Sequence, residues 1–209
     1  MTRRKPPSLD RRSRPTLEVR QKITIYCEGI RTEPSYFRQF AQDHRNRLVE
    51  VCIHGGVGVP KTIVQKAIEG RKLGGKRSSF EENDSTWVVF DKDHHKCVDE
   101  AFELARRHGF KVAYSNPCFE LWAILHLQDL GKQIDSAEAQ QILKRVMPSY
   151  DKKRNKEFDY QTMRSGFADA CRRAETLQKA RAGDGSINGA PYTSVHELMR
   201  EIAGNGKPR

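Results

Sequence analysis

Four carboxylates in this sequence stand where oxygen-ligand chemistry could be done. The stretch "TWVVFDKDHHKC" over residues 86–97 carries an apolar run straight into Asp91 and Asp93. Two residues apart in an extended chain, they point the same way. A second β-branched run, "KITIYCEG", ends on Glu28 and Gly29. A third, "FKVAYSN", leads through Pro117 into "CFELWAILHL", where Glu120 interrupts an otherwise apolar stretch. Carboxylates gathered in one crevice repel one another, so either some take up protons or a cation neutralises them. Oxygen-only donors suit Mg²⁺ or Mn²⁺, which combine carboxylate with water and phosphate oxygens. Two plainer readings stand beside this one. Asp-x-Asp after a strand also serves as a turn and helix cap, and Glu120 also fits a pair with a local arginine or a backbone N–H.

The elements that must position these residues follow from the pattern. Short β-branched runs at 22–27, 48–54, 86–90 and 110–115 alternate with helical spacing over 32–47, 61–73, 95–109 and 117–130. Thr32 can cap the first of these helices, with Pro34 in its first turn, and Gly109 stops the third. Strand then helix, four times over, predicts an α/β fold with a parallel sheet of about four strands flanked by helices. In such sheets, sites form in the loops leaving the carboxyl ends of the strands. Topology alone therefore brings Glu28, Asp91, Asp93 and Glu120 to one edge. Beyond residue 131 no strand is expected: 136–147, 165–183 and 192–203 read as helices, with a basic loop over 150–160. The expected organisation is a basic flexible arm (1–21), an α/β core (22–130) and a helical C-terminal elaboration packed on it (131–209).

Charge points to the partner. Net charge is +11 over 209 residues, which favours polyanions, nucleic acid first among them. Much of the excess lies in the arm, among Arg3, Arg4, Lys5, Arg11, Arg12, Arg14 and Arg20, with prolines interspersed. The arm alone does not separate nucleic acid from a membrane surface or an acidic protein. Lys152, Lys153, Arg154 and Lys156, with Arg172 and Arg173, are further candidates for tracking a phosphate backbone.

"GGVGVPKT" nearly spells an NTP-binding loop, with Lys61 and Thr62 in place. Pro60 stands at the second required glycine and argues against triphosphate hydrolysis. Gly55, Gly56 and Gly58 are then either a backbone grip for nucleic-acid phosphate, aided by Lys61, or a plain tight turn. His94 is a candidate phosphate contact or proton carrier, and a helix-start histidine otherwise. With His95 and Cys97 it lacks the second ligand pair that zinc spacing requires. Phe119, Trp122, Leu125, His126 and His196 read as core. The five cysteines are scattered without a CxxC pair, which suits a reducing cytoplasm. The longest apolar run is about half of the roughly 18–20 residues a membrane span needs, and the basic N-terminus lacks the apolar segment of a secretory signal.

Glu28–Gly29 after one strand and Asp91-x-Asp93 after a later one resemble the TOPRIM domain of topoisomerases, primases and related nucleases. Taken together, "CEGIRTEPSYF", "FDKDHH", "AYSNPCFELWAILHL" and "PYTSVHELM" resemble the RloB family, found with restriction and phage-defence genes. The likeness runs through nearly the whole chain after the arm. It implies a TOPRIM fold and a metal-dependent nuclease acting on DNA or RNA, with an ATPase partner in the same defence system. Carried over, Glu28 would be the TOPRIM glutamate, a general acid/base or a metal-adjacent group, while Asp91 and Asp93 would hold the Mg²⁺ or Mn²⁺. The TOPRIM pattern has no counterpart for Glu120, whose assignment to the metal rests on topology. Two rivals share the same features. One is a nucleic-acid-binding or regulatory subunit that cuts nothing alone. The other is a haloacid-dehalogenase-type phosphatase with a nucleophilic aspartate, although in those enzymes the motif usually ends the first strand.

Overall fold

The computed structural model describes residues 21–44, 49–73, 84–92, 98–151, 157–183, 185 and 189–204. Five strands form one sheet: β1 (Gln21–Cys27), β2 (Val49–His54), β3 (Ser85–Asp91), β4 (Lys111–Asn116) and β5 (Tyr192–Thr193), in the order β2-β1-β3-β4-β5. The first four are parallel, as the alternation predicts, with Ile25 of β1 paired to Ile53 on one side and Trp87 on the other. The fifth overturns the expectation of a strand-free C-terminal part. Thr193 and Tyr192 pair antiparallel with Ser115 and Asn116 of β4. Two residues wedged between Pro191 and a helix carry no alternation of their own, so a helical period absorbs them. Their placement is tertiary: Ser194 accepts a hydrogen bond from the Tyr114 amide through its hydroxyl (2.9 Å).

The inner strands are buried on both faces and read as nearly continuous apolar runs. On one face Ile23, Ile25, Cys27, Trp87 and Val89 join a large cluster with α1 (Thr32–His44), α4 (Glu120–Leu127), α5 (Ser136–Val146), α6 (Tyr160–Met163), α7 (Phe167–Gly183) and α8 (Val195–Ile202). On the other, Tyr26, Val88, Phe90 and Tyr114 meet α2 (Pro60–Leu73) and α3 (Val98–Arg107). Alternate residues of a strand face opposite ways, which is why neighbours such as Val88 and Val89 belong to different clusters. The C-terminal helices thus share one core with α1 and α4.

Helix α4 begins at Glu120, three residues later than the proline signal suggests, because Cys118 and Phe119 form a turn that accepts from the Leu121 and Trp122 amides. Seven of its eight residues are buried, Glu120 among them. Trp122, Phe119, Leu125, His126 and His196 are core residues, as read from sequence. No helix among the described residues is long and apolar enough to cross a membrane.

The connection leaving β1 runs outward to β2, whereas the one leaving β3 runs the other way to β4. The crevice between β1 and β3 is therefore the topological switch point, where open parallel sheets hold their ligands. Glu28 follows the last residue of β1, and Asp91 is the last residue of β3.

Candidate active site at the carboxyl edge of the sheet

Asp91 is fixed by the chain that follows the neighbouring strand: its Oδ2 accepts the Phe119 amide at 2.9 Å. This bond ties the end of β3 to the turn that opens α4, so the same turn orients Asp91 and delivers Glu120. Glu120 is 7% exposed, and its Oε1 accepts a hydrogen bond from the Tyr150 hydroxyl at 2.7 Å. Tyr150 is itself buried, and burial followed by the charge of Glu120 pushes its phenol up. It remains a donor at any ordinary pH. A residue of the C-terminal part thereby holds a carboxylate of the strand edge.

Glu33 is the member the sequence reading missed. It lies in the first turn of α1, 6% exposed, and its Oε1 accepts the Gly29 amide at 3.1 Å. Burial, reinforced by the negative charges of Glu120 and Glu28, pushes its carboxyl up to about 7 against two opposing backbone hydrogen bonds. Gly29 is the residue that permits this. A Cβ there would lie 1.8 Å from Glu33 Oε2, so only glycine lets the carboxylate approach the β1 turn. The sequence did carry a signal, an acid five residues after Glu28. An acid in a helix's first turn is ordinarily explained by the helix dipole, which hid it.

Glu28, Glu33 and Glu120 are thus electrostatic neighbours, and Asp91 joins them through the α4 turn. Asp93, His94, His95 and Cys97 lie outside the described residues, as do Lys152, Lys153, Arg154 and Lys156. Among the described residues no three His, Cys, Asp or Glu side chains converge closely enough to hold a metal ion. In chemistry the set fits a hard divalent cation. Its donors are carboxylate oxygens only, and burial, with the charges of Glu120 and Glu28 adding to it, raises the Glu33 carboxyl to about 7.

The glycine loop is built chiefly to meet the β1 turn. The Gly56 amide donates to the Gly29 carbonyl (2.9 Å) and the Val57 amide to Cys27 (3.3 Å), so those two donors are not directed at a phosphate. A Cβ on Gly55 would strike Pro34 at 2.5 Å, while Gly56 and Gly58 adopt positive φ of 70° and 106°. Lys61 pairs with Glu100 on α3 at 2.8 Å. Both are well exposed, so this pair exchanges readily with solvent ions and does not withdraw Lys61 from a polyanion.

No curated protein and no solved structure matches the chain. A family model described as RloB-like protein matches residues 23–202, from the first strand to the last helix.

Proposed function

Because the chain belongs to the RloB-like family, we propose that its carboxylate edge is the active site of a divalent-metal-dependent nuclease of TOPRIM type, cleaving phosphodiester bonds of DNA or RNA. The observation that carries this reading is the gathering of Glu28, Glu33, Asp91 and Glu120 at the switch point, with Glu33 raised to about 7. Asp91 and Asp93 would hold Mg²⁺ or Mn²⁺. When bound, the ion supplies charge stabilisation at the scissile phosphate. The chain's own groups do the rest. The Phe119 amide orients Asp91, Tyr150 fixes Glu120, and Glu28 moves the proton. Glu33, poised near neutral pH, is a second carrier for that proton. The excess positive charge draws the polymer towards an edge whose own carboxylates would repel it. On the family resemblance we place the activity in phage defence, beside an ATPase subunit, in the cytoplasm.

The test is cleavage of end-labelled DNA and RNA with Mg²⁺ or Mn²⁺, wild type beside Asp91→Ala and Glu28→Gln. The expected result is loss of about 10²-fold or more in both variants, with their circular dichroism unchanged. A variant that cuts as well as wild type overturns the assignment. A second reading, a nucleic-acid-binding subunit silent without its partner, draws support from one observation. Asp91, Glu120 and Glu33 each already accept a hydrogen bond from the protein. Tight binding without cleavage under either metal, with cutting restored by an ATPase subunit, would select it.

A further inference from the structure

The two borders of the sheet are guarded very differently. At one, β5 is two residues long and directly follows Pro191, a short, proline-flanked edge of the kind that resists further pairing. At the other, β2 presents six residues, "VEVCIH", containing neither the lysine nor the proline that natural edges use to block addition. Among the described residues no element pairs with the outer side of β2. Its side chains alternate cleanly. Val49, Val51 and Ile53 pack partly against the larger core cluster, while Glu50, Cys52 and His54 line the opposite face, Glu50 and His54 exposed with the His54 ring stacked on Tyr26.

We infer that this edge pairs with the same edge of a second copy, antiparallel about Cys52, to form one continuous ten-stranded sheet. The register follows from symmetry. A two-fold axis normal to the sheet leaves each side chain on its own face, so only residues of like parity can stand opposite one another. Centring the axis on Val51 sets Glu50 against Cys52. Centring it on Ile53 sets Cys52 against His54 and leaves Val51 facing Gly55. Centring it on Cys52 sets Glu50 against His54 twice over, an acid against an imidazole. On the apolar face it sets Val51 against Ile53, two β-branched residues, also twice. That register alone is complementary on both faces at once, with a hydrogen-bonding polar pair on one and a β-branched pair on the other, and such cross-strand pairs are what stabilise a ladder. Lys22, the register partner of Glu50 on β1, adds a cation on that face. The occupant is therefore a copy of this strand, whose pattern answers itself. The inference is independent of the proposed chemistry, since β2 contributes no carboxylate to the active edge.

The experiment uses the full chain. Light scattering after gel filtration should give twice the 24.0 kDa chain mass. Treatment with diamide should join the two copies through Cys52, the one half-exposed cysteine among those described. Cys52→Ser should abolish that band and leave the dimer intact. His54→Glu, which faces like charges across the axis, should raise the dimer dissociation constant about tenfold or more. Adding Glu50→Arg to it should restore dimerisation. That rescue distinguishes a specific register from general destabilisation. A folded wild-type monomer at micromolar concentration overturns the proposal, as does a dimer whose cross-link survives Cys52→Ser or one indifferent to both charge variants.

Discussion

Glu33 and the buried histidines titrate in opposite senses, which makes the acid stability of this protein a readout of the site. Burial, with Glu120 and Glu28 adding to it, raises the Glu33 carboxyl from an ordinary 4.5 to about 7. The folded state therefore carries a growing penalty as pH climbs through that window. Burial lowers His126 and His196 from 6.5 to about 4, so the stability they contribute is complete above about 6.5 and lost as pH falls towards 4. The His126 contacts fit a neutral ring: with Nδ1 donating to the Met163 carbonyl at 2.9 Å, Nε2 accepts from Tyr36 at 3.2 Å. Between pH 4.5 and 6.5 these trends oppose each other. In Glu33→Gln the opposition disappears, and urea melts should show stability rising with pH more steeply than in wild type, by up to about 1.4 kcal/mol per pH unit. Parallel curves for the two proteins would place Glu33 outside the charge cluster. Glu28, Asp91 and Glu120 were legible in the sequence because a strand's end is a topological fact once the alternation is seen. Glu33 and Tyr150 were not. One looked like a helix-start acid and the other like a loop tyrosine, and only tertiary contact with Gly29 and Glu120 gives either a role.

Among the elements, the last helix does the least expected work. Glu201 of α8, 6% exposed, accepts from Gln21 Nε2 at 2.8 Å and from Lys111 Nζ at 2.6 Å, and takes a third hydrogen bond from Ser85 Oγ. Those partners begin β1, β4 and β3, so one carboxylate ties three strands together at the edge opposite the candidate site. Glu201→Ala leaves the Lys111 ammonium and two polar groups without that acceptor and should cost about 2–4 kcal/mol of stability. If the proposed metal-dependent cutting holds, it should persist in this variant at low temperature, because Glu201 lies at the other end of the sheet from Glu28 and Asp91. A chemical-denaturation midpoint unchanged from wild type would refute the clamp. The four parallel strands and most helix bounds were readable from period and punctuation. The two-residue β5 was beyond that method, because pairing with Ser115 and Asn116 defines it and no pattern of its own does.

At the scale of the molecule, the charge surplus makes a prediction about salt. Residues 1–20 carry seven arginines and lysines against Asp10 and Glu18. If the chain binds nucleic acid as proposed, deleting them should weaken that binding without regard to sequence. It should also flatten the slope of log affinity against log salt by up to about 5, at roughly 0.7–0.9 for each phosphate the arm would neutralise. Fluorescence anisotropy across a salt series reads this directly, and an unchanged slope would assign the arm another partner. The boundary expected near residue 130 falls just after α4, but the core does not stop there. Phe119 stacks on Phe158 (5.7 Å between ring centroids), and Tyr36 is ringed by Phe158 and Tyr160.

One consequence concerns the order of synthesis. Helix α4 is apolar almost all round, and α7, one of its two main covers, begins forty residues after α4 ends. At about 5–20 residues per second, a ribosome leaves that helix without this cover for about 2–8 s. The nascent chain thus passes through a sticky interval of its own making, one that lasts until translation has entered its final quarter.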